Sequence, residues 1–535
     1  MSLPPIIKGL LDPAAYLSRP ARVTLIQTHI SYILLTPDIV YKIKKPVDFG
    51  FLDFTTLKKR LYFCREEVRL NRALAPGMYL GVVPIARERG GFRMEGKGRP
   101  VEYAVKMKRI PPDATLESMI KQDSVLPSTI VRIASAIAGF HGKAARGPRI
   151  SSYGNLNAVR KNTGENFSQT ARFVGSQGRL ARRQGRLDWK TITRERYGAI
   201  KEYTRGFLEN NSALFVERAR GGFIRDCHGD IHSEHVCVEP GRGGISIFDC
   251  IEFNRRFRCS DVVADMAFLS MDLDFRGRGD LARVFDRAYF SRTKDRRGAR
   301  LLNFYKCYRA YVRGKVESFR LIEPEETARD KRAAFLNAMR YFHLAHKYSK
   351  GGTRPAMVVV AGLAGTGKSA VAKALGDATG MAVLSSDEVR KLLFSIPLTE
   401  HRHERFAKGI YSKEATDRTY RELIKKAFAM LSSGRSVILD ATFSKEKHLE
   451  RARKAAEKCG ASFHVIACTA DDETVKKRIE KRASEAGAVS DATWTVYKKQ
   501  KGLFEEIKTA HLELSTGAPE RELIVDVIRW LTGNC

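Results

Sequence analysis

The stretch that decides the fold of the C-terminal half is Met357-Val-Val-Val-Ala-Gly362-Leu363-Ala364-Gly365-Thr366-Gly367-Lys368-Ser369. Its first five residues read as a buried strand. Residues Gly362 to Ser369 match G-x-x-x-x-G-K-[ST] in full, and the Ala-rich run 370–378 reads as a helix. The chemistry needs this order. Glycines let successive backbone N–H groups turn inward around a phosphate, and the start of a helix adds partial positive charge. Lys368 then reaches the β- and γ-phosphates, and the Ser369 hydroxyl ligates Mg²⁺. The loop therefore predicts ATP and Mg²⁺ as cofactors.

Further apolar runs follow at AVLSSD (382–387), SVILDAT (436–442) and SFHVIACT (462–469), with helical stretches between them. That alternation predicts an α/β domain with a parallel, helix-covered sheet. Ligands of such sheets sit beyond the carboxyl ends of the strands. Asp440 ends VILD and suits a Mg²⁺–water partner. Asp387 ends AVLSSD, three residues before Arg390. Its carboxylate could take the proton of an attacking hydroxyl while Arg390 holds an anionic substrate group. Asp387 also reads as the N-cap of the next helix. Arg478 and Arg482 lie one helical turn apart and could close over the transferring phosphoryl group; a solvated basic face is the other reading.

The segment YSKGGTRPA (348–356) is polar and Gly/Pro-rich, and reads as a linker dividing residues 1–347 from 357–535. The N-terminal part opens with ISYILL (30–35) and IVYKIK (39–44) around Thr36-Pro37-Asp38, a hairpin signal. A helical stretch runs from about Thr56 to Leu74, and strand-like runs appear at 80–86 and 101–107. After Leu116 the pattern is mainly helical, interrupted by a second hairpin signal at HVCVEPGRGGISIFD (235–249). Strands first and helices later predict a two-lobed α+β domain. The run CHGDIHSEHV (227–236) precedes that hairpin and ISIFDCIEF (245–253) completes it, so Asp230 and Asp249 come to its two ends. They could share an activated hydroxyl and a metal, or cap turns.

Composition bounds the rest. The chain has 535 residues, 43% of them hydrophobic, which excludes global disorder. Its 95 Lys and Arg against 60 Asp and Glu leave a formal charge of +35, which favours anionic partners. Nine cysteines contain no C-x-x-C pair, so a zinc ribbon or thioredoxin-like site is excluded, and reduced thiols predict a cytoplasmic protein. No apolar run reaches the ~20 residues of a bilayer span, so no membrane partner is expected. The stretch Arg172, Arg179, Arg182, Arg183, Arg186, Lys190, Arg194 and Arg196, interleaved with Phe173, Trp189 and Tyr197, suits contact with nucleic acid. A solvated basic surface is the alternative, because the positive excess is spread over the whole chain.

The segment 357–500 resembles small P-loop kinases of the polynucleotide-kinase, zeta-toxin and chloramphenicol-phosphotransferase kind. The resemblance rests on GLAGTGKS, SDEVR (386–390), ILDATF (438–443) and the arginine-rich run from Arg478. It implies ATP-dependent phosphoryl transfer to a hydroxyl, on a small molecule or a nucleic-acid end. The H-G-D-x-H run with a following F-D resembles the aminoglycoside-phosphotransferase branch of the protein-kinase-like fold. That resemblance implies that Asp230 orients the acceptor hydroxyl and that Asp249 binds metal. It also implies that Lys42 holds ATP phosphates with Glu67 as its helix partner, and that Met107, in a hinge at 105–110, lies near adenine. Lys44 shares a strand face with Lys42; Lys42 is preferred because Val40 then faces the adenine.

One position departs from that pattern: His235 stands five residues after Asp230, where the resemblance implies Asn. Imidazole is a poor Mg²⁺ ligand, so single-metal catalysis, a slow enzyme and a nucleotide-binding pseudokinase stay open. The whole order, over residues 20–500, resembles a bacterial family described as bifunctional aminoglycoside phosphotransferase/ATP-binding protein, in which "aminoglycoside" is a fold analogy. The expectation is an ATP-dependent kinase of unnamed acceptor. The alternatives are a pseudokinase that regulates a P-loop ATPase and a nucleic-acid-binding ATPase.

Overall fold

In IVYKIK the side chains alternate, so Tyr41 and Ile43 go to one face of the sheet and Lys42 and Lys44 to the other. A computed structural model describes residues 3–88, 90–175, 181–183, 186–239, 244–324, 326–397, 409–483, 493–517 and 520–533, without the side chains of 181–183, 186–188, 482–483 and 520–522. These residues form two compact units. One comprises Met1–Thr163, Gly206–Asp272 and Val284–Tyr305; the other comprises Gly164–Arg205, Leu273–Arg283 and Lys306–Cys535.

The first unit carries an antiparallel sheet of β1 (Thr24–Gln27), β2 (Ser31–Leu35), β3 (Ile39–Lys44), β4 (Tyr79–Glu88), β5 (Gly91–Met94) and β6 (Pro100–Lys108), in the order β1-β2-β3-β6-β4-β5. Helix α1 (Leu57–Asn71) lies between β3 and β4 in sequence, and its first turn is capped by Thr56 Oγ1, which accepts the Lys59 N–H at 3.2 Å. Tyr41 and Ile43 pack in a core with Leu34, Ile85 and Ala104. The opposite face, with its two lysines, packs on α1, where Val105 beside Lys42 meets Cys64 and Val68. The second hairpin signal is realised as β7 (Val236–Val238) paired with β8 (Ile245–Ile247). Helix α2 (Val262–Phe275) is apolar on all sides apart from acids that face inward.

A buried ion cluster braces this unit. Arg218 donates to both oxygens of Asp261, at 2.6 and 2.8 Å, and to both of Asp295, each at 2.9 Å. Its side chain is 2% exposed. Removing the guanidinium would leave two buried carboxylates without compensation. Arg218→Met should therefore lower unfolding stability by about 3–5 kcal/mol, read from urea denaturation. A loss under ~1 kcal/mol would mean the cluster is solvated on opening.

In the second unit a five-stranded sheet, parallel throughout, has the order β10-β11-β9-β12-β13. Its strands are β9 (Ala356–Ala361), β10 (Ala382–Ser385), β11 (Val437–Asp440), β12 (Ser462–Thr469) and β13 (Leu512–Ser515). The helices that matter below are α3 (Lys368–Thr379), α4 (Ser386–Leu393), α5 (Lys413–Ser433) and α6 (Asp472–Ala483). Met357, Val359, Leu439 and Val465 fill the core on one side of the sheet, and Val358, Val360, Ile438 and Ile466 the other.

Two local readings need correction, and one strand had no signal in the sequence. The strand expected over 382–387 ends at Ser385, whose Oγ accepts the Asp387 N–H at 3.3 Å; Ser385 is the cap, and Asp387 sits in the first turn of α4. Edge strand β13 carries no apolar run, because only Leu514 of its four residues is buried. The helix Ala328–Ser349 enters the polar segment expected as linker, and ends where the Lys350 N–H bonds back to the His346 carbonyl at 3.2 Å.

Candidate functional site

Residues Gly362 to Ser369 join β9 to α3. Gly362 has φ +151°, and a Cβ there would meet the Cys468 carbonyl oxygen at 2.6 Å, so only glycine fits. Gly367 caps α3 in the left-handed region at φ +81°. Gly365 lies against Val475 and Ile479 of α6, the same apolar cluster that Leu363 joins, and Ala364 is buried. Thr366 Oγ1 closes the loop on the Leu363 carbonyl at 2.8 Å. Lys368 and Ser369 are the first residues of α3, where the helix start favours an anion.

Asp440 ends β11, in register with Val360 of β9 and Ser385 of β10. Burial pushes the Cys468 thiol up to about 12, with Lys368 and Asp440 both within electrostatic reach of it. Ser369 and Asp440 offer oxygen donors, the set that suits Mg²⁺, and they would hold it between loop and strand end. Asp387 and Arg390 form a pair on α4, Nη1 to Oδ1 at 3.7 Å, and the Arg390 guanidinium lies over the Tyr411 ring at 4.6 Å. Arg390 is largely buried.

Two residues had no signal in the sequence. Tyr420, on α5, accepts the Phe443 N–H at 2.8 Å, which secures Phe443 at φ +47° just past Asp440. Burial pushes its hydroxyl up to about 12, with Arg390, Asp387 and Asp440 within electrostatic reach of it. Thr516 follows β13. Its Oγ1 donates to the Thr366 carbonyl at 2.7 Å and accepts from Arg478 Nη1 at 2.8 Å, while Arg478 Nη2 donates to the Thr516 carbonyl at 2.7 Å. Arg478 is thereby held at the loop: a Cβ on Gly367 would stand 3.2 Å from its Nη1. The Arg482 side chain lies outside the described residues. Thr516→Val should lower kcat/KM for ATP about tenfold, the cost of about one hydrogen bond to a charged group; an unchanged value would detach Arg478 from the chemistry.

The first unit gathers the second set of residues. Lys42 Nζ lies 2.9 Å from Glu67 Oε1 and 2.5 Å from Asp249 Oδ1. Lys44 bonds Glu67 Oε2 at 2.7 Å and also Glu252, a residue that the sequence reading did not single out. Burial works against the Lys42 charge, but Asp249, Glu67 and Glu252 together raise its pKa well above the usual value. Burial likewise pushes Asp249 up, and Lys42 and His235 overcome it to leave the carboxyl far below its usual range. Asp249 has φ +63°, and its N–H donates to the Tyr79 hydroxyl at 3.1 Å. Met107 on β6 pairs with Val40 and Tyr79, in the core beside them.

The loop that carries Asp230 is held by α2. Asp265 accepts the N–H groups of His228 at 3.0 Å and Gly229 at 2.7 Å, and contacts His141 Nε2 at 3.0 Å. Two turns on, Asp272 accepts the Ser233 N–H at 2.9 Å and its hydroxyl at 2.5 Å. Gly229 at φ +89° lets the backbone pass Phe257 and Arg258, where a Cβ would be crowded. His235 then lies between the aspartates: Nδ1 is 3.4 Å from Asp230 Oδ2 and Nε2 is 3.5 Å from Asp249 Oδ2. Burial and then His232 push its pKa down. An imidazole and a carboxylate are not the oxygen set that Mg²⁺ prefers, so the front pair does not fit that ion.

The curated relatives are the "Uncharacterized protein Rv2004c" of Mycobacterium tuberculosis and the "Uncharacterized protein Mb2027c" of Mycobacterium bovis, each 30% identical over 497 residues, which cover 93% of this chain and 93% of the relative. This chain belongs to their family. A family model described as "AAA domain" matches residues 357–507, the span of the parallel sheet through β12 and of the phosphate loop. Similar solved structures include the Mycobacterium tuberculosis APS kinase in complex with AMPPNP and APS (21% identity, 33% of this chain, 98% of that chain, TM-score 0.26). A gluconokinase from Sinorhizobium meliloti is another (18% identity, 34% of this chain, 97% of that chain, TM-score 0.25). Residues 357–507 of this chain thus form a P-loop domain on a parallel sheet.

Among the described residues no helix is long and apolar enough to cross a membrane. The aromatics of the basic stretch serve the interior: Phe173 is buried, Trp189 packs on Phe335 at 5.4 Å, and the Tyr197 hydroxyl donates to the Phe167 carbonyl at 3.1 Å. They do not form a stacking face for bases. Arg179 lies outside the described residues, as do the side chains of Arg182, Arg183 and Arg186.

Proposed function

We propose that the chain is an ATP-dependent phosphotransferase that moves the γ-phosphoryl group of ATP to a hydroxyl acceptor, with the chemistry seated in the P-loop domain. The observation that carries this reading is the complete phosphate loop at the start of α3, with Asp440 and Ser385 in register at neighbouring strand ends and Asp387 in the first turn of the helix that Ser385 caps. A plain ATPase has no need of an acceptor base there. In this reading Gly362 to Ser369 cradle the phosphates, and Lys368 follows the charge that develops on the γ-group. The acceptor oxygen attacks the γ-phosphorus, its proton passes to Asp387, and ADP leaves. Arg390 aligns Asp387 through their ion pair, and Arg478, with Arg482 one turn on, neutralises the transferring group. Mg²⁺, when bound by Ser369 and Asp440, shields the phosphate oxygens.

Residues 1–347 act, in the same proposal, as an aminoglycoside-phosphotransferase-like domain joined through 348–356 to 357–535. Lys42, Glu67, Met107 and Asp249 form its nucleotide site and Asp230 faces the acceptor. His235 favours a second reading of this domain alone, as a nucleotide-binding regulator without turnover. The acceptor is a hydroxyl-bearing small molecule or a nucleic-acid end, and the cytoplasm supplies both. The test incubates the full chain with γ-labelled ATP and either a cell metabolite extract or RNA with 5′-hydroxyls. Label in an organic product or RNA end is the expected result; label in inorganic phosphate alone would replace the kinase reading with an ATPase.

A further inference from the structure

His235 Nδ1 lies 3.0 Å from the carbonyl oxygen of Asp230. A carbonyl only accepts, so Nδ1 carries a proton, and in the neutral ring Nε2 is the nitrogen with the lone pair. Nε2 faces Asp249 Oδ2 at 3.5 Å, while Oδ1 of the same carboxylate accepts from Lys42 at 2.5 Å. Two acceptors therefore look at each other across a gap too wide for a hydrogen bond. Such a pair gains energy when a cation stands between its members. Donors bound at about 2.0–2.2 Å on two corners of a tetrahedron lie about 3.4 Å apart, which is close to the gap observed. The distal N–H bonded to a backbone carbonyl is the device by which metal-bound imidazoles fix their tautomer. A second imidazole is at hand. His232 lies against His235 with ring centroids 3.9 Å apart and the rings tilted by 40°, and its Nε2 is 3.6 Å from Asp230 Oδ2. Asp230, His232 and His235 each offer a donor atom, all within 4.8 Å of one another.

We infer that His235 and Asp249 form a site for a first-row divalent transition ion, flanked by Asp230 and His232, in the place where an oxygen pair would select Mg²⁺. A nitrogen donor raises affinity along the series from Mn²⁺ towards Cu²⁺ and does little for Mg²⁺. The ion's use with nucleotide rests on the proposed reading of residues 1–347; the ion site itself rests on His235 and Asp249.

Co²⁺ is the probe, because its visible absorption reports nitrogen ligation without turnover. The full-length chain is titrated with Co²⁺ in excess Mg²⁺, as wild type, His235→Asn and His235→Gln, with thermal unfolding to verify that each is folded. One equivalent of tightly bound Co²⁺ is expected in the wild type, and at least about a tenfold loss of affinity in both variants. Displacement by Mg²⁺, or the same Co²⁺ spectrum in both variants, would overturn the site. In parallel, a non-hydrolysable ATP analogue is titrated in a Lys368→Ala background with and without Lys42→Ala. A Co²⁺ signal lost in both His235 variants supports the ion site whether or not the nucleotide binds. Co²⁺ binding that is unchanged in both His235 variants, beside nucleotide binding that depends on Lys42, would overturn the ion site and leave the nucleotide reading intact.

Discussion

Lys368→Ala lowers ATP turnover by about 10²–10³-fold, the usual cost of removing one preorganised charge-stabilising donor from a phosphoryl- or acyl-transfer site. The residue opens α3 directly after Gly367, so its ammonium and the helix start act on the same anion. Charge grows on the oxygens around the γ-phosphorus as the bond to ADP loosens. Lys368 therefore binds the transition state better than the ground state, and kcat should fall more than KM rises. A raised KM with kcat unchanged would instead mean uniform binding of ATP. The fold should be untouched, since Lys368 is not among the buried side chains of α3. Near-normal turnover in this variant would move the chemistry to the first unit.

Asp387→Asn keeps ATP affinity and loses transfer to the acceptor by about 10²–10⁴-fold, the range for a positioned general base. Two observations separate this from a structural effect. The helix is capped by Ser385 and not by Asp387, so the substitution leaves α4 its N-cap. The Asp387 side chain is also 29% exposed, so an acceptor can reach it. Asparagine keeps the shape and the contact with Arg390 but cannot hold the proton. Analogue binding with a dissociation constant within a few-fold of wild type, together with lost transfer, is the expected pattern. Parallel loss of both would reduce Asp387 to a partner that orients Arg390.

Much of this was legible because the signals are local. A strand, three glycines and a helix within some twenty residues declare the phosphate loop, and period-2 alternation in IVYKIK puts Lys42 and Lys44 on one face, where the family resemblance named Glu67 as the helix partner of Lys42 and Asp249 as a metal-binding residue. The hairpin between Asp230 and Asp249 followed from two β-rich runs around a glycine-rich turn. The illegible parts are held by long-range contacts. Asp265 and Asp272 grip the Asp230 loop from a helix more than thirty residues on, and nothing near them in sequence marks that task. Thr516 reaches Thr366 across 150 positions. Tyr420 reads as one more apolar residue of α5 until its hydroxyl meets Phe443. The capping question turned on a choice between neighbours: Ser385 and Asp387 both suit an N-cap, and the strand's end point decided it.

The central claim is that the P-loop domain transfers phosphate to a hydroxyl. The measurement that tests it most directly follows label from γ-labelled ATP into acceptor in the wild type, Lys368→Ala, Asp230→Ala and the double variant. A labelled acceptor that disappears with Lys368→Ala and persists in Asp230→Ala is the predicted result. A labelled acceptor that survives Lys368→Ala and disappears with Asp230→Ala would contradict the account and place the kinase in the first unit.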